Sequence, residues 1–165
     1  MKPSDGSALQ SALKLAKSGA LEEALSLAST MEKRTLSTED LRQLALIYSH
    51  CGRGRDAEEA WAAVSTRDDV QPGDCFMLAS TQVGLGHPEK AIVNLRREIA
   101  ASDKEKNLAY LSVSVIHLAY LLANKSMKSE ALEVLGRIGD SDGTHVLGGG
   151  LVTKRALLAR LGSRK

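Results

Sequence analysis

The seven residues GHPEKAI, Gly86 to Ile92, decide the fold of this 165-residue chain. Proline disfavours a helix interior, yet Pro88 suits the first turn of a helix, where its missing N–H is not needed. A glycine such as Gly86 suits the end of a helix. The stretch therefore predicts a hairpin: one helix ends at Gly86, the next begins near Pro88, and the small residue Ala91 contacts the first helix.

The same arrangement occurs four times along the chain. In each copy a glycine or a serine lies five positions before a small residue, and another small residue lies twelve positions before that one. Small residues at both points let antiparallel helices approach closely, and a larger side chain there would cost about 1–3 kcal/mol. The turn residues are Gly19, Gly52, Gly86 and Ser126, and the alanine pairs are Ala12 with Ala24, Ala45 with Ala57, Ala79 with Ala91, and Ala119 with Ala131.

Helix is the dominant secondary structure that the sequence predicts. Apolar residues recur at three- and four-residue spacing, as in the stripe Leu41, Leu44, Ala45 and Tyr48. Alternating β-branched runs bounded by turns are scarce by comparison. These patterns together predict an all-α fold.

The period of the repeat and its helix–turn–helix unit resemble the tetratricopeptide repeat (TPR) family, whose period is near 34 residues. Tyr48 stands where that family favours a first-helix tyrosine, Trp61 where it favours a second-helix aromatic, and Pro72 closes a unit. The family's first-helix tryptophan is absent, and the other three units lack the closing proline. The resemblance implies an α–α superhelix, a right-handed solenoid of about four TPR-like helical hairpins. Related α-hairpin arrays with other periods are the structural alternative.

The domain prediction follows from these units. Residues 1–145 form the TPR-like repeat domain, with approximate units 5–38, 38–71, 72–105 and 112–145 and about six extra residues in or beside SDKEKN. Residues 146–165 complete the chain as a glycine-rich linker and a basic C-terminal capping helix. Leu151, Leu158 and Leu161 lie on one side of that helix, which would cover the last unit.

The charge of the chain favours no polyanionic partner. Lys and Arg number 22 and Asp and Glu number 20, for a formal net charge of +2, so nothing overall points to nucleic acid or an anionic membrane. No segment has the roughly 20 apolar residues of a membrane span or the apolar core of a signal peptide. We therefore expect a soluble, cytoplasmic protein in which Cys51 and Cys75 are packed side chains rather than a disulfide.

Residue types that carry chemistry are sparse. His50 and Cys51 are neighbours, but on a helix they point about 100° apart and do not form a catalytic pair. His117 lies in an apolar stretch, where a groove or core histidine with a hydrogen-bond partner is expected. The glycines at 148–150 lack the GK[ST] ending of a phosphate loop, and a hinge is the preferred interpretation. We expect no enzyme activity, no cofactor and no metal site.

The basic C-terminus is a candidate contact for nucleic acid or an acidic lipid surface. Its cationic residues are Lys154, Arg155, Arg160, Arg164 and Lys165. Because no aromatic residue accompanies them to stack on bases or anchor at a membrane interface, a solvated face of the cap is favoured over a nucleic-acid or lipid contact.

The TPR resemblance also implies where a partner would bind, because the first helices of such hairpins line a concave face. The positions that match the family's inward sites are mostly apolar. Members that grip a carboxylate use Lys, Arg and Asn there, whereas Leu9 and Leu13 replace the first pair here. The candidate partner-binding residues are Leu9, Leu13, Arg42, Leu46, Ser49, Phe76, Ser80, Val83, Ile116 and Tyr120.

We therefore expect a non-catalytic protein–protein interaction module, a scaffold or adaptor, that binds an apolar or amphipathic peptide or helix of a partner. The first alternative is a small bacterial secretion-type TPR chaperone for an aggregation-prone client. An enzyme or a nucleic-acid binder is the last. The same apolar side chains could instead be covered by the C-terminal helix folding back, or by a second copy of the chain in a homo-oligomer.

Overall fold

A computed structural model describes residues 5–31, 35–147 and 149–162. These residues are predominantly helical and form nine helices and two short strands, so the all-α prediction holds for most of the chain. The elements are α1 (Asp5–Ser18), α2 (Leu21–Ser29), α3 (Thr38–His50), α4 (Gly54–Val64), α5 (Asp74–Gly84), α6 (Pro88–Glu105), α7 (Leu108–Asn124), α8 (Lys128–Leu135), β1 (Gly143–Val146), β2 (Gly150–Thr153) and α9 (Lys154–Gly162).

The chain divides into two compact units. Unit 1 is Met1–Asp74 and contains the hairpins α1–α2 and α3–α4. Unit 2 is Cys75–Lys165 and contains nearly all of α5, together with α6, α7, α8, the two strands and α9. Residues 146–165, predicted as a separate terminal segment, therefore fall within unit 2.

The predicted turns lie between the helices of each hairpin. Gly19, Gly52 and Gly86 have φ angles of +89°, +69° and +77°, which only glycine adopts without strain. Ser126 holds the same place in the fourth hairpin with φ +62°, where a side chain costs about 1–2 kcal/mol. Pro88 is in the first turn of α6, as predicted.

The small residues of the repeat are where the helices touch. All eight alanines of the predicted pairs have no exposed surface. Each pair places one alanine on the first helix of a hairpin and the other on the second. Their burial is what we expect of positions where paired helices meet.

The extra residues before the fourth unit lengthen a helix. Helix α6 has 18 residues, whereas α4, its counterpart in the second hairpin, has 11. It ends at Glu105 and is followed by the C-cap residue Lys106, whose φ of +55° is left-handed. On its buried side, Glu98 accepts hydrogen bonds from the Ser102 hydroxyl at 3.0 Å and from the backbone N–H of Phe76 at 3.3 Å. A carboxylate at the N-terminus of α5 complements the helix dipole there.

The C-terminal segment differs from its prediction. Instead of a linker followed by one helix from Leu151, β1 and β2 form an antiparallel pair in which Thr144 pairs with Val152 and Val146 with Gly150. The helix begins only at Lys154. A hairpin of two four-residue strands is marginal by itself. It forms here because Val146 and Val152 are buried in the apolar core of unit 2.

Candidate functional site

The first-helix residues predicted to bind a partner fall into two groups, one in each unit. In unit 1, helices α1 and α3 flank a groove of about 300 Å³. Leu13 and Leu46 are half-buried in it. We call this surface the unit 1 groove, and its lining residues are Gln10, Leu13, Lys14, Lys17, Glu39, Gln43 and Leu46.

Helical spacing explains why these residues share the groove. On α1, residues 10, 13, 14 and 17 are three or four positions apart and so lie on one face. On α3, residues 39, 43 and 46 have the same spacing. Leucines provide the apolar surface, and the exposed Lys14, Lys17 and Glu39 provide charge at the margins. The groove therefore has the composition that suits an amphipathic ligand.

Leu9 does not belong to this surface. Its side chain has no exposed area, and it packs in the core of unit 1 with its neighbours Ala12 and Ala16. A partner could not touch it. The prediction of a binding role for Leu9 is therefore corrected to a role in the core, and Leu13, one helical turn further on, is the α1 leucine that faces the groove.

The side chain of Arg42 forms its hydrogen bonds within unit 1. Its Nε donates to Asp74 Oδ1 at 3.0 Å, and its Nη2 donates to Asp74 Oδ2 at 2.9 Å and to the carbonyl oxygen of Asp69 at 2.9 Å. The hydrogen bond to Asp74 is the main reason why the pKa of Arg42 is raised above its usual value. Because its side chain is only 12% exposed, the predicted partner contact of Arg42 is replaced by a structural one.

Ser49 lies at the exposed end of α3 rather than in the groove. Its hydroxyl donates to the carbonyl oxygen of Ala45 in the same helix at 2.8 Å. The unit 1 groove thus brings together two of the five residues predicted for this unit, Leu13 and Leu46. It adds Gln43, whose side-chain oxygen is enclosed and accepts no hydrogen bond within the described residues.

Unit 2 presents the matching face differently, because residues 143–162 lie on it. We call these residues, which include β1, β2 and α9, the C-terminal cover. Four of its side chains are buried in the same core as α7, namely Val146, Val152, Leu157 and Leu161. The predicted binding residues Phe76, Val83 and Tyr120 are half-buried against this core. Much of the face predicted to receive a partner is therefore occupied by the chain itself.

Three polar contacts join the cover to α7. The Nε2–H of His117 donates to the carbonyl oxygen of His145 at 3.1 Å. Arg160 donates to Asn124 Oδ1 at 2.8 Å, and its guanidinium carbon lies 5.7 Å from the centre of the Tyr120 ring. A cation over a tyrosine ring contributes about 0.5–1 kcal/mol. These contacts orient the cover, whereas its buried valines and leucines supply most of the apolar contact.

Gly149 allows the cover to approach α7 closely. A Cβ atom at this position would lie 2.9 Å from Cζ of Tyr120, closer than real Cβ contacts. At the end of α5, a Cβ atom on Gly84 would lie 3.5 Å from a methyl carbon of Leu147. The turn of the hairpin thus lies beside both α5 and α7, the two first helices of this unit.

His117 is a packed histidine, as predicted. Burial lowers its pKa below the usual value, and the hydrogen bond to His145 only partly opposes this effect. The edge of its ring meets Phe76, with the ring centres 5.0 Å apart. The ring is therefore neutral near pH 7 and positions the cover.

Two further residues predicted to bind a partner, Ile116 and Ser80, lie in unit 2. Ile116 is fully buried in the core of unit 2, so its predicted partner contact is corrected to a core role. Ser80 is half-buried on α5.

Burial and the nearby Glu22 raise the pKa of the Cys51 thiol, which is unfavourable for a nucleophile. Within the described ranges, no group of three His, Cys, Asp or Glu residues could hold a metal ion.

Sequence reasoning missed the residues that attach the cover. From the sequence, Gly149 is expected in a hinge and Arg160 on a solvated face of the cap, and no role is expected for His145. The available signal was the pair of short β-branched runs, THV and LVT, on either side of the glycines, which is typical of a hairpin. That Gly149 must be small could not be read from the sequence, because it depends on where Tyr120 lies.

Comparisons of the chain with protein-family models, with curated proteins and with solved structures give no match. Among the described residues, no helix combines the length and the apolar character needed to cross a membrane.

Proposed function

We propose that this chain is a TPR-like protein, a right-handed superhelix of about four helical hairpins, that acts as a non-catalytic protein-interaction module. Four successive helical hairpins with buried alanines at matching positions support the TPR-like part of the proposal. The module would serve as a scaffold or adaptor that binds an apolar or amphipathic segment of another protein.

The observation that carries the proposal is the open unit 1 groove. Leu13 and Leu46 lie in it with part of their side chains exposed. Full burial of a leucine side chain is worth about 1.5–3 kcal/mol, so covering the remaining exposed part of both contributes a fraction of that. An exposed ion pair at the margin adds about 0–1 kcal/mol. Apolar contact should therefore dominate affinity, with the margin charges fixing the orientation of the ligand.

The polar groups of the groove favour an amphipathic ligand over a purely apolar one. Lys14 and Lys17 lie on the α1 side, and Glu39 lies on the α3 side. A rotation of the Gln43 amide would present its oxygen to a backbone N–H of a bound segment. This pairing would satisfy an acceptor whose burial without a partner costs about 1–3 kcal/mol.

A peptide-display selection on the full chain tests this proposal. We expect enriched peptides with apolar side chains at helical or alternating spacing. Their binding, measured by fluorescence anisotropy with synthetic peptides, should fall at least about tenfold in the double variant Leu13→Ser, Leu46→Ser. That factor corresponds to about 1.4 kcal/mol.

The matched control is Leu21→Ser with Leu27→Ser, which removes two exposed leucines of the same unit from the second helix α2. This control should bind the peptides as the unchanged chain does. If no peptide is enriched, or if the groove variant binds as well as the control, the unit 1 groove is not the binding surface.

A further inference from the structure

We infer that the α5–α7 face of unit 2 is a docking surface for the segment Gly143–Gly162, that the chain's own copy occupies it as an intramolecular ligand, and that the same segment of a second copy can take its place. The inference does not depend on the unit 1 groove. Its basis is the set of contacts between the C-terminal cover and α7, together with the way in which the cover is tethered.

The contacts have the composition of a protein-binding interface. Apolar anchors at the centre, Val146, Val152, Leu157 and Leu161, are buried. At the margin an arginine lies over a tyrosine ring, and two hydrogen bonds reach side chains of α7. Buried apolar anchors with Tyr and Arg around them are typical of the residues that dominate binding energy. The chain therefore shows which chemistry this face accepts.

The cover is a distinct structural element within unit 2. Its strands pair only with each other among the described residues, and α9 follows β2 without a break. Phe76, Val83 and Tyr120 remain half-buried, so the cover does not seal the face. In unit 1, two hairpins of the same kind pack together while their own groove stays open within the described residues. Hairpins of this repeat can therefore pack without a cover.

The tether is short, and Ile138 in its middle is buried in the core of unit 2. Residues 136–142 connect α8 to β1. Asp142 Oδ2 accepts hydrogen bonds from the Ser112 hydroxyl at 2.9 Å and from the Gly139 N–H at 3.0 Å. Lys154 pairs with Asp140, which is exposed, and donates to the carbonyl oxygen of Ile138. Once Ile138 leaves the core, seven extended residues span at most roughly 23 Å, so the released cover can extend away from its own face.

Three leucines of the docked cover remain partly exposed to solvent. Leu147, Leu151 and Leu158 are 55%, 65% and 37% exposed. Two strands without further partners among the described residues also leave backbone groups available along their outer edges. An exchange between copies would bring two covers into one assembly, where these apolar side chains could be shared. The segment of a second copy, which carries the same anchors, is therefore the ligand that we infer can replace the resident one.

Cutting the tether tests the inference directly. A protease site is inserted between Gly139 and Asp140 of the full chain, and the purified protein is cleaved. A labelled synthetic peptide of residues 140–165 is then added, and its incorporation is followed by fluorescence anisotropy. We expect the labelled segment to replace the resident one after cleavage. The uncut chain should take up the peptide at least about a hundredfold more weakly, because its tethered copy competes at an effective concentration near millimolar.

Circular dichroism of the cleaved protein separates the two possible results. If helical signal is kept when the segment dissociates on dilution, the segment is a ligand. If dissociation unfolds α5–α8, or if the labelled peptide never exchanges, the segment is an integral part of the core and the inference is wrong. A cleaved Tyr120→Ala chain should take up the peptide about tenfold more weakly, whereas the Leu13→Ser, Leu46→Ser variant should behave normally, so the two proposals can fail separately.

Discussion

The α1–α3 face of unit 1 and the α5–α7 face of unit 2 come from the same repeat but differ in what lies on them. The first holds a groove between Leu13 and Leu46. The second carries the C-terminal cover, which places Gly149 against Tyr120. The alanines that join the helices are equally buried in both units. The repeat therefore sets how helices pack, while residues outside it decide whether the outward face is open.

The largest expected effect compares a core side chain with a groove side chain. Ile116→Ala should lower the free energy of unfolding by about 2–5 kcal/mol, because it leaves a cavity in a fully buried site. Leu46→Ala should cost about 1 kcal/mol or less, because Leu46 is partly exposed. Urea unfolding followed by circular dichroism measures both. Equal losses would mean that the two faces are packed alike.

A smaller effect is expected from a substitution that displaces the cover while the sequence of α7 stays unchanged. Gly149→Val would push against the Tyr120 ring and should destabilise the docked cover by about 1–3 kcal/mol. Trypsin should then cut faster at Arg155, on the cover. Gly162→Ala is the control, because a Cβ there meets nothing within 4 Å. Unchanged cleavage in Gly149→Val would show that the close approach does not hold the cover in place.

Lowering the pH should reduce the free energy of unfolding of unit 2, because His117 is buried there. Its pKa is below the usual 6.5 because of burial, so as the pH falls below 6.5 the unfolded chain takes up a proton that the folded chain does not. Stability is therefore lost from pH 6.5 downward, at no more than about 1.4 kcal/mol per pH unit, until the folded-state pKa is reached. His117→Gln keeps a donor for His145 and should flatten the dependence between pH 7 and 5. A profile identical to that of the unchanged chain would assign the effect to other groups.

The smallest effect compares the turns of the first and last hairpins. Ser126→Gly should raise the free energy of unfolding by about 0.5–1 kcal/mol, because glycine relieves the left-handed φ but gains freedom in the unfolded chain. Gly19→Ala should lower the free energy of unfolding by about 1 kcal/mol, because Gly19 also has a positive φ angle. Thermal unfolding measures both. A loss of stability in Ser126→Gly would indicate that the serine side chain stabilises its turn.

The parts of this fold that depend on local spacing were predictable. The turn glycines and the paired alanines follow from helix geometry, and all lie as expected. Binding positions transferred from the TPR family were less accurate. Leu9 and Ile116 lie in the core, because a small rotation of a helix exchanges a core position for a groove position one turn away.

The remaining differences come from contacts between residues distant in the sequence. Arg42 was expected to contact a binding partner, but its guanidinium forms an ion pair with Asp74, 32 residues later in the chain. The glycine-rich segment was expected to be a linker, but burial of Val146 and Val152 stabilises a hairpin there. Neither outcome can be read from neighbouring residues alone, since each depends on which distant surface the segment meets.

The position of the cover in the chain has a consequence during synthesis. Ribosomes add about 5–20 residues per second, so α5 and α7 emerge several seconds before α9 has been made. In that interval Tyr120 has neither Gly149 nor Arg160 beside it, and polysomes place identical nascent chains side by side. Translation that stalls after α8 would leave this face bare on every stalled chain, and such chains should be more prone to co-aggregate than the finished protein.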